Sequence, residues 1–294
     1  MASSNDSRGL YPVLAMLAGA TMWGVVWYPM RLLENGGLQG VWLSLILYAT
    51  ALIVSLPRTW RVVGEFSLAP ATLVVLTIAS GWTNVAFIEA VLNGNVLRVL
   101  LLFYLSPLWA TLLAWLLLGE RISRTALMSL FLAMAGAIVM LWNTRLGAPW
   151  PQGYTDWMAL TSGFAFALSN VMTRKAQQVS LTAKVMCVWS GVILVALAMI
   201  AVLAIRVPQI DLPVFSGAVA LGIGGVMLMT IFVQYGVTHM PVYRSAVLAL
   251  VELVAGAVSQ QLLTNEIVTF REWVGGVFIL VGAYLAACAT RSKP

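Results

Sequence analysis

The sequence predicts an all-α integral membrane protein whose ten transmembrane helices form two inverted five-helix repeats around a central cavity. Three observations carry that expectation. Of 294 residues, 61% are hydrophobic and only 9% are charged, against about 25% charged in an average soluble domain. A water-facing surface cannot be built from so few charges. The apolar residues fall in runs of roughly 20, the length a helix needs to cross about 30 Å of hydrocarbon, and they lack the period-two alternation of barrel strands. Finally, the later parts of the two halves overlay with a single offset of 146 positions.

Unpaired backbone amides are costly in lipid, so spanning segments are helices or closed barrels. The apolar runs place the helices at roughly 11–30, 39–56, 70–91, 97–118, 124–142, 155–174, 184–205, 213–236, 243–263 and 270–289. The connections are short and leave no room for a soluble catalytic or receptor domain. Only Thr144 to Thr155, with Pro149 and Pro151, reads as a linker, which divides the chain into units 1–148 and 149–294. Met1 to Gly9 is polar, and no basic start, short apolar core and small-residue cleavage site precedes the first span. Insertion without processing is expected.

Loops retained in the cytoplasm collect Lys and Arg. Eleven of the 16 basic residues fall on the side of the N-terminus, and only Arg31, Arg98, Arg145, Arg206 and Arg271 fall on the other. Both termini are therefore expected in the cytoplasm. The net charge of +6 is explained by this bias and by attraction to anionic lipid, so nucleic acid is not an expected partner. Cys187 and Cys288 lie in apolar spans without CxxC spacing, and His239 is the single histidine. Neither a disulfide framework nor a zinc site is indicated, and nothing calls for a cofactor.

With the offset of 146, Arg98 meets Arg244, Glu120 meets Glu266, Ile122-Ser123 meets Val268-Thr269, and Gly136-Ala137 meets Gly282-Ala283. The first helices overlay with a slightly smaller shift, Trp23 on Phe166 and Arg31 on Arg174. An odd number of helices per copy makes the second copy enter the membrane from the opposite side. In transporter folds such symmetry places a binding site near mid-membrane between the halves.

Trp23-Gly24 with Arg31 in the first helix, Ser106-Pro107 in the fourth, and Gly119-Glu120-Arg121-Ile122 leading to a fifth helix with Gly136 resemble the EamA repeat of the drug/metabolite transporter superfamily. The resemblance covers almost the whole chain twice. Within the superfamily the Trp-rich, loop-poor sequence is most similar to bacterial aromatic amino-acid exporters. It implies a ten-helix basket in the bacterial inner membrane, a cavity lined by helices one, three, four, six, eight and nine, and export from the cytoplasm. One departure is Glu252-Leu253, where many members have Glu-Pro, which puts in doubt the mobility a proline would give that helix.

Within the ninth span, Ser245, Ala249, Glu252, Gly256 and Ser259 recur in alternating steps of four and three, and so share one helical face. Such a face lets helices approach closely or lines a polar lumen. Glu252 stands apart, since a mid-span carboxylate costs at least ~2.5 kcal/mol on insertion scales and favours a position facing water, substrate or a partner group. Asn84, Ser169, Asn170, Thr230 and Gln234 are further candidates, each able to orient a solute or tie two helices together at ~0.6 kcal/mol. Trp23, Trp27, Trp82, Tyr104 and Trp109 also lie within spans, as cavity wall or core packing. Arg98, Glu120, Arg244 and Glu266 sit near helix ends and read as scaffold and gate residues, and Glu89 lies a short turn from Arg98, within reach of an ion pair.

Absences narrow the solute. No lysine is expected buried in a span, which disfavours phosphates, and the first helix carries no acid, which disfavours proton-for-cation exchange of the small multidrug type. A neutral or zwitterionic solute such as an amino acid fits rings, one acid and several amides, with another small neutral metabolite or drug as the alternative. An intramembrane enzyme would need a nucleophile and base or paired acids, which one histidine and one mid-span glutamate do not supply. A non-transporting accessory subunit gives no reason for an inverted repeat.

Overall fold

The computed structural model describes residues 3–38, 40–142, 151–264 and 267–288, and every regular element among them is helical. Nine stretches are long and apolar enough to cross a membrane. Three of them are broken. The first, Leu10–Asn35, is α1 (Ser3–Val25) followed by α2 (Trp27–Asn35). Pro29 supplies no N–H for the carbonyl four residues back, so the ladder fails at this point. Next come α3 (Gly40–Thr59), a 3-10 segment at Trp60–Leu68, and α4 (Pro70–Asn93), which starts on a proline whose missing N–H would have no helical partner anyway.

The fourth span divides into α5 (Val96–Phe103) and α6 (Ser106–Leu118), the break again falling four residues before a proline, Pro107. Gly119 then adopts a left-handed φ of 66° and turns the chain into α7 (Arg124–Leu141), capped by the Ser123 hydroxyl on the Ala126 amide at 3.2 Å. In the second half stand α8 (Tyr154–Lys175) and α9 (Leu181–Val202). α10 (Leu212–Leu221) follows and joins α11 (Met227–His239) through a π segment at Gly222–Val226. The ninth predicted span divides into α12 (Val242–Ala249) and α13 (Val251–Leu263), and α14 (Phe270–Cys288) closes the bundle.

The break between α12 and α13 answers the missing proline. Leu250, the residue between the helices, lies 146 positions after Tyr104, which occupies the same place between α5 and α6. Here the Leu253 amide bonds to the Leu250 carbonyl at 3.0 Å, three residues back rather than four. The helix therefore breaks without a proline to force it.

α8 is the polar exception. At 22 residues it is long enough to span, yet it falls outside the nine apolar stretches because it carries Asp156, Ser162, Ser169, Asn170 and Thr173. All five are buried, since α8 packs against α4, α5, α6, α11 and α12. Its polar groups meet protein rather than lipid.

α7 lies along α14, α3 along α9, α4 along both α8 and α9, and α1 along α11 and α13. Between them the largest cluster of buried side chains runs through α3, α4, α8 and α9 and includes Leu47, Leu73, Leu76, Val171 and Trp189. Large apolar side chains such as Ile78, Phe131, Leu194 and Tyr284 face outward, an exterior suited to hydrocarbon and not to water. Glycines set the tightest crossings. A Cβ on Gly191 of α9 would meet the Thr77 backbone of α4, and one on Gly136 of α7 would meet the Gly275 carbonyl of α14. Between lipid-embedded helices, close van der Waals packing of this kind is a main source of association.

Gly191→Val should therefore force α4 and α9 apart and cost on the order of 1–3 kcal/mol, read as a lowered melting temperature in detergent. Gly64→Ala, where a Cβ meets nothing within 4 Å, should leave it unchanged.

Candidate substrate cavity

Two of the three helix breaks converge. Tyr104 stands at the α5–α6 break, Ala249, Leu250 and Glu252 flank the α12–α13 break, and Thr230 follows the π segment. All five line one cavity of about 150 Å³ between the helices. Broken helices and single-turn π segments are where bundles place functional sites, because the interrupted ladder presents backbone dipoles and re-aims side chains. Glu252 sits in the first turn of α13, where the helix dipole favours a negative charge, and it hydrogen-bonds the Tyr104 side chain.

Of the sequence-predicted lining residues, Trp23, Asn84, Tyr104, Ser169, Asn170, Thr230, Gln234 and Glu252 do border the cavity. Three do not. Trp27 donates its indole N–H to Ser259 Oγ at 2.9 Å and lies under Arg31, whose guanidinium carbon is 5.7 Å from a ring centroid. Trp82 is part-exposed at the outer surface, with its N–H toward Thr161 at 3.3 Å. Trp109 packs edge-on to Phe164 at 5.8 Å. A ring's place along a span says nothing about which way the helix is turned, and these three are turned away.

The cavity also has rings that the sequence reading did not single out. Phe87, Phe103 and Phe166 line it, with Phe103 at 4.8 Å from Phe87, 5.2 Å from Tyr104 and 5.7 Å from Phe166 between centroids, in the tilted or edge arrangements aromatic pairs prefer. One signal was available, since Ser80, Asn84 and Phe87 recur at steps of four and three on α4.

Several polar groups are satisfied inside the wall. Thr173 donates to Gln234 Oε1 at 2.9 Å, Thr230 to the Val226 carbonyl at 2.7 Å, Ser169 to the Phe166 carbonyl at 2.9 Å, and Asn84 bonds Tyr48. Gln234 thereby keeps its NH₂ for another partner. Ser80 Oγ lies in the wall without a hydrogen-bond partner among the described residues.

The polar face of the ninth span serves both of its expected uses. Ala249 and Glu252 line the cavity, whereas Ser259 bonds the Gly24 carbonyl at 3.1 Å, and a Cβ on Gly24 would strike the backbone at Glu252 and Gly256. Close packing takes the end of the face and the lumen takes its middle.

The expected gate residues lie at the bundle ends, with changed partners. Arg98 Nε reaches Asp156 Oδ2 at 2.7 Å with both side chains buried, while Glu89 accepts from Asn93 Nδ2 at 3.0 Å. The turn expected to join Glu89 to Arg98 instead directs the arginine across to α8, and Asp156 was not a sequence candidate. Glu120 accepts from the Val242 amide at 2.9 Å and faces Arg174 at 3.6 Å, so a loop of the first half is tied to two helices of the second. Arg244 donates to the Ala287 carbonyl. Glu266, like residues 144–150 of the expected linker, lies outside the described residues.

Lys184 is a correction. It is fully buried in the first turn of α9, with Nζ 3.3 Å from Thr238 Oγ1, where its long apolar stem lets the chain cover it. It does not border the cavity, so the cavity still holds no fixed cation among the described residues. Those residues also contain no group of three metal-binding side chains.

This arrangement, an apolar helical bundle broken around a central polar and aromatic cavity, is that of a multi-pass membrane protein. The pattern of the EamA-like transporter family matches residues 10–142 and again 153–288, and the chain belongs to that family, within the drug/metabolite transporter superfamily. An uncharacterized transporter of Pseudomonas aeruginosa is 28% identical over 64% of the chain and 62% of its own length. An uncharacterized transporter of Archaeoglobus fulgidus is 24% identical over 94% and 96%. Protein RarD of Salmonella typhi is 27% identical over 55% of each chain. The chain thus spans less than two thirds of the Pseudomonas and Salmonella relatives. A protein crystal structure shares the fold with a TM-score of 0.73 at 19% identity, covering 94% of this chain and 96% of that one.

Two outcomes follow at the bundle ends. Asp156→Ala should leave Arg98 buried without its partner and cost about 3–5 kcal/mol, measured by thermal unfolding in detergent. Burial pushes the Glu120 carboxyl up from its ordinary 4.5, against lowering contributions from the Val242 amide and Arg174. The folded state then holds this proton more tightly than the unfolded chain. Its contribution to stability is most favourable near and below pH 4.5 and declines as pH rises through the raised value. Glu120→Gln should remove that decline, seen by comparing melts of wild type and variant from pH 4.5 upward.

Proposed function

We propose that the protein exports neutral amino acids, aromatic ones included, from the cytoplasm across the bacterial inner membrane by alternating access of the central cavity. The observation that carries this reading is the lining of that cavity. Rings of Trp23, Phe87, Phe103 and Phe166 share it with Asn84, Asn170, Gln234 and a single carboxylate, Glu252. An apolar cavity of ~150 Å³ holds a benzene-sized ring, the size class of this one. Amides beside the rings can bond a carboxylate or ammonium.

Alternating access rests on the ten-span, inverted-repeat reading, with α8 as the tenth span, units at 1–148 and 149–294, and both termini in the cytoplasm. Supporting it, equivalent helices pair across the halves, α7 with α14 and α3 with α9, while α4 on α8 is answered by α11 on α1. The Glu120–Arg174 contact at one end and the Arg98–Asp156 pair at the other both cross between halves, where rocking would make and break them.

Efflux of radiolabelled amino acids from proteoliposomes tests the assignment, with and without a pH gradient. Wild type should release phenylalanine and tryptophan well above empty vesicles, and Glu252→Gln should cut the rate at least tenfold. If efflux is gradient-driven in wild type and not in the variant, Glu252 carries the coupling proton, Tyr48 and Tyr104 being the other titratable groups on the cavity wall. Failure of any amino acid to move in well-folded protein sinks the exporter assignment.

A further inference from the structure

The charge inventory of the cavity carries the argument further. Among its described lining residues Glu252 is the only charged group, and no lysine, arginine or histidine borders it. A zwitterion entering this space can pair its ammonium with Glu252, but its carboxylate meets only rings, hydroxyls and amides. Taking a charge out of water without a counter-charge is the costly half of that exchange. An anion fares worse, facing Glu252 with no cation to offset it. A primary amine with no carboxylate brings the one charge the cavity complements, and two charges within a poorly solvated space interact strongly.

Geometry adds a length. The Phe103 ring belongs to the aromatic cluster and stands 5.2 Å from the Tyr104 ring, whose side chain hydrogen-bonds Glu252. The distance from ring cluster to carboxylate is therefore bridged by one tyrosine side chain. A solute with a single aromatic ring and a two-carbon amine arm spans about the same gap, with its ring on Phe103 and Phe166 and its ammonium on the Glu252 carboxylate. The rings add cation–π attraction to the ammonium, and the absence of an acid on the first helix does not bear on this, because α13 delivers one to the same cavity.

We infer that the cavity selects aromatic monoamine cations over the corresponding amino acids, with Glu252 as the group that pairs the ammonium. This rests on the cavity being the transport site, and goes beyond that reading in naming a cationic substrate class.

Equilibrium binding to the purified protein in nanodiscs tests it, using radiolabelled phenethylamine, phenylalanine and 3-phenylpropionate, which share a ring and differ in charge. Binding is read rather than flux because the uncharged form of the amine crosses bilayers unaided. Phenethylamine should bind at least about tenfold tighter than phenylalanine, with 3-phenylpropionate weakest. Glu252→Gln should erase that tenfold preference, and Glu252→Asp should keep it. Equal or weaker binding of the amine in wild type, or a preference that persists in Glu252→Gln, overturns the inference. Phenylalanine bound and exported with phenethylamine excluded overturns it while the amino-acid reading stands. Binding of none of the three by monodisperse protein overturns both.

Discussion

Every polar group that enters the bilayer must find its partner within the protein, and the rest of this structure is arranged around that constraint. Unbroken helices satisfy it automatically, because each backbone N–H and C=O is bonded inside its own segment. The breaks at Val26, Tyr104–Leu105 and Leu250 and the π segment before Thr230 do not. Two of them, at Tyr104 and Leu250, are buried in the interior, where the same backbone irregularity that would be intolerable against lipid shapes a cavity.

α8 shows the constraint from the side-chain direction. With Asp156, Ser162, Asn170 and Thr173 along it, this helix could not face hydrocarbon, and it is ringed by α4, α5, α6, α11 and α12. Its charge is paired with Arg98, the Ser162 hydroxyl donates to the Thr83 carbonyl at 2.7 Å, and Thr173 donates to Gln234. The last two contacts both satisfy a buried group and hold a cavity-lining residue, Thr83 and Gln234. Glycine crossings such as Gly191 against Thr77 then bring the backbones close enough for the walls to close without bulky side chains.

The ends of the bundle carry the remaining charge. Glu120 reaches from a loop of the first half to the start of α12 and the end of α8, and Lys184 is buried nearby against Thr238. Glu120 and Arg174 stay partly exposed, at 16% and 22% of their side-chain surface, because long side chains reach toward water, whereas Lys184 is fully buried. Under the proposed alternating access, such contacts must be strong enough to close one end and weak enough to release. Partly buried, partly screened ion pairs lie in that range.

Composition, run length and the 146-residue offset determined by themselves that this is a helical membrane protein of repeated design, because bilayer thickness and backbone pairing leave a chain no other way to place such residues. They also marked Glu252, since a lone carboxylate in an apolar run has few places to go. What they could not determine was rotation and partnership. Trp27, Trp82 and Trp109 sit at the depth of the cavity yet point elsewhere, Phe87, Phe103 and Phe166 look like ordinary apolar filler yet line it, and Arg98 passes over the nearby Glu89 for Asp156, 58 residues away. The helix carrying Glu252 breaks without the proline that would have announced it. Each of these was decided by tertiary structure, because the azimuth of a helix and the choice among several reachable partners are set by the packing of its neighbours and leave no mark in one chain's local pattern.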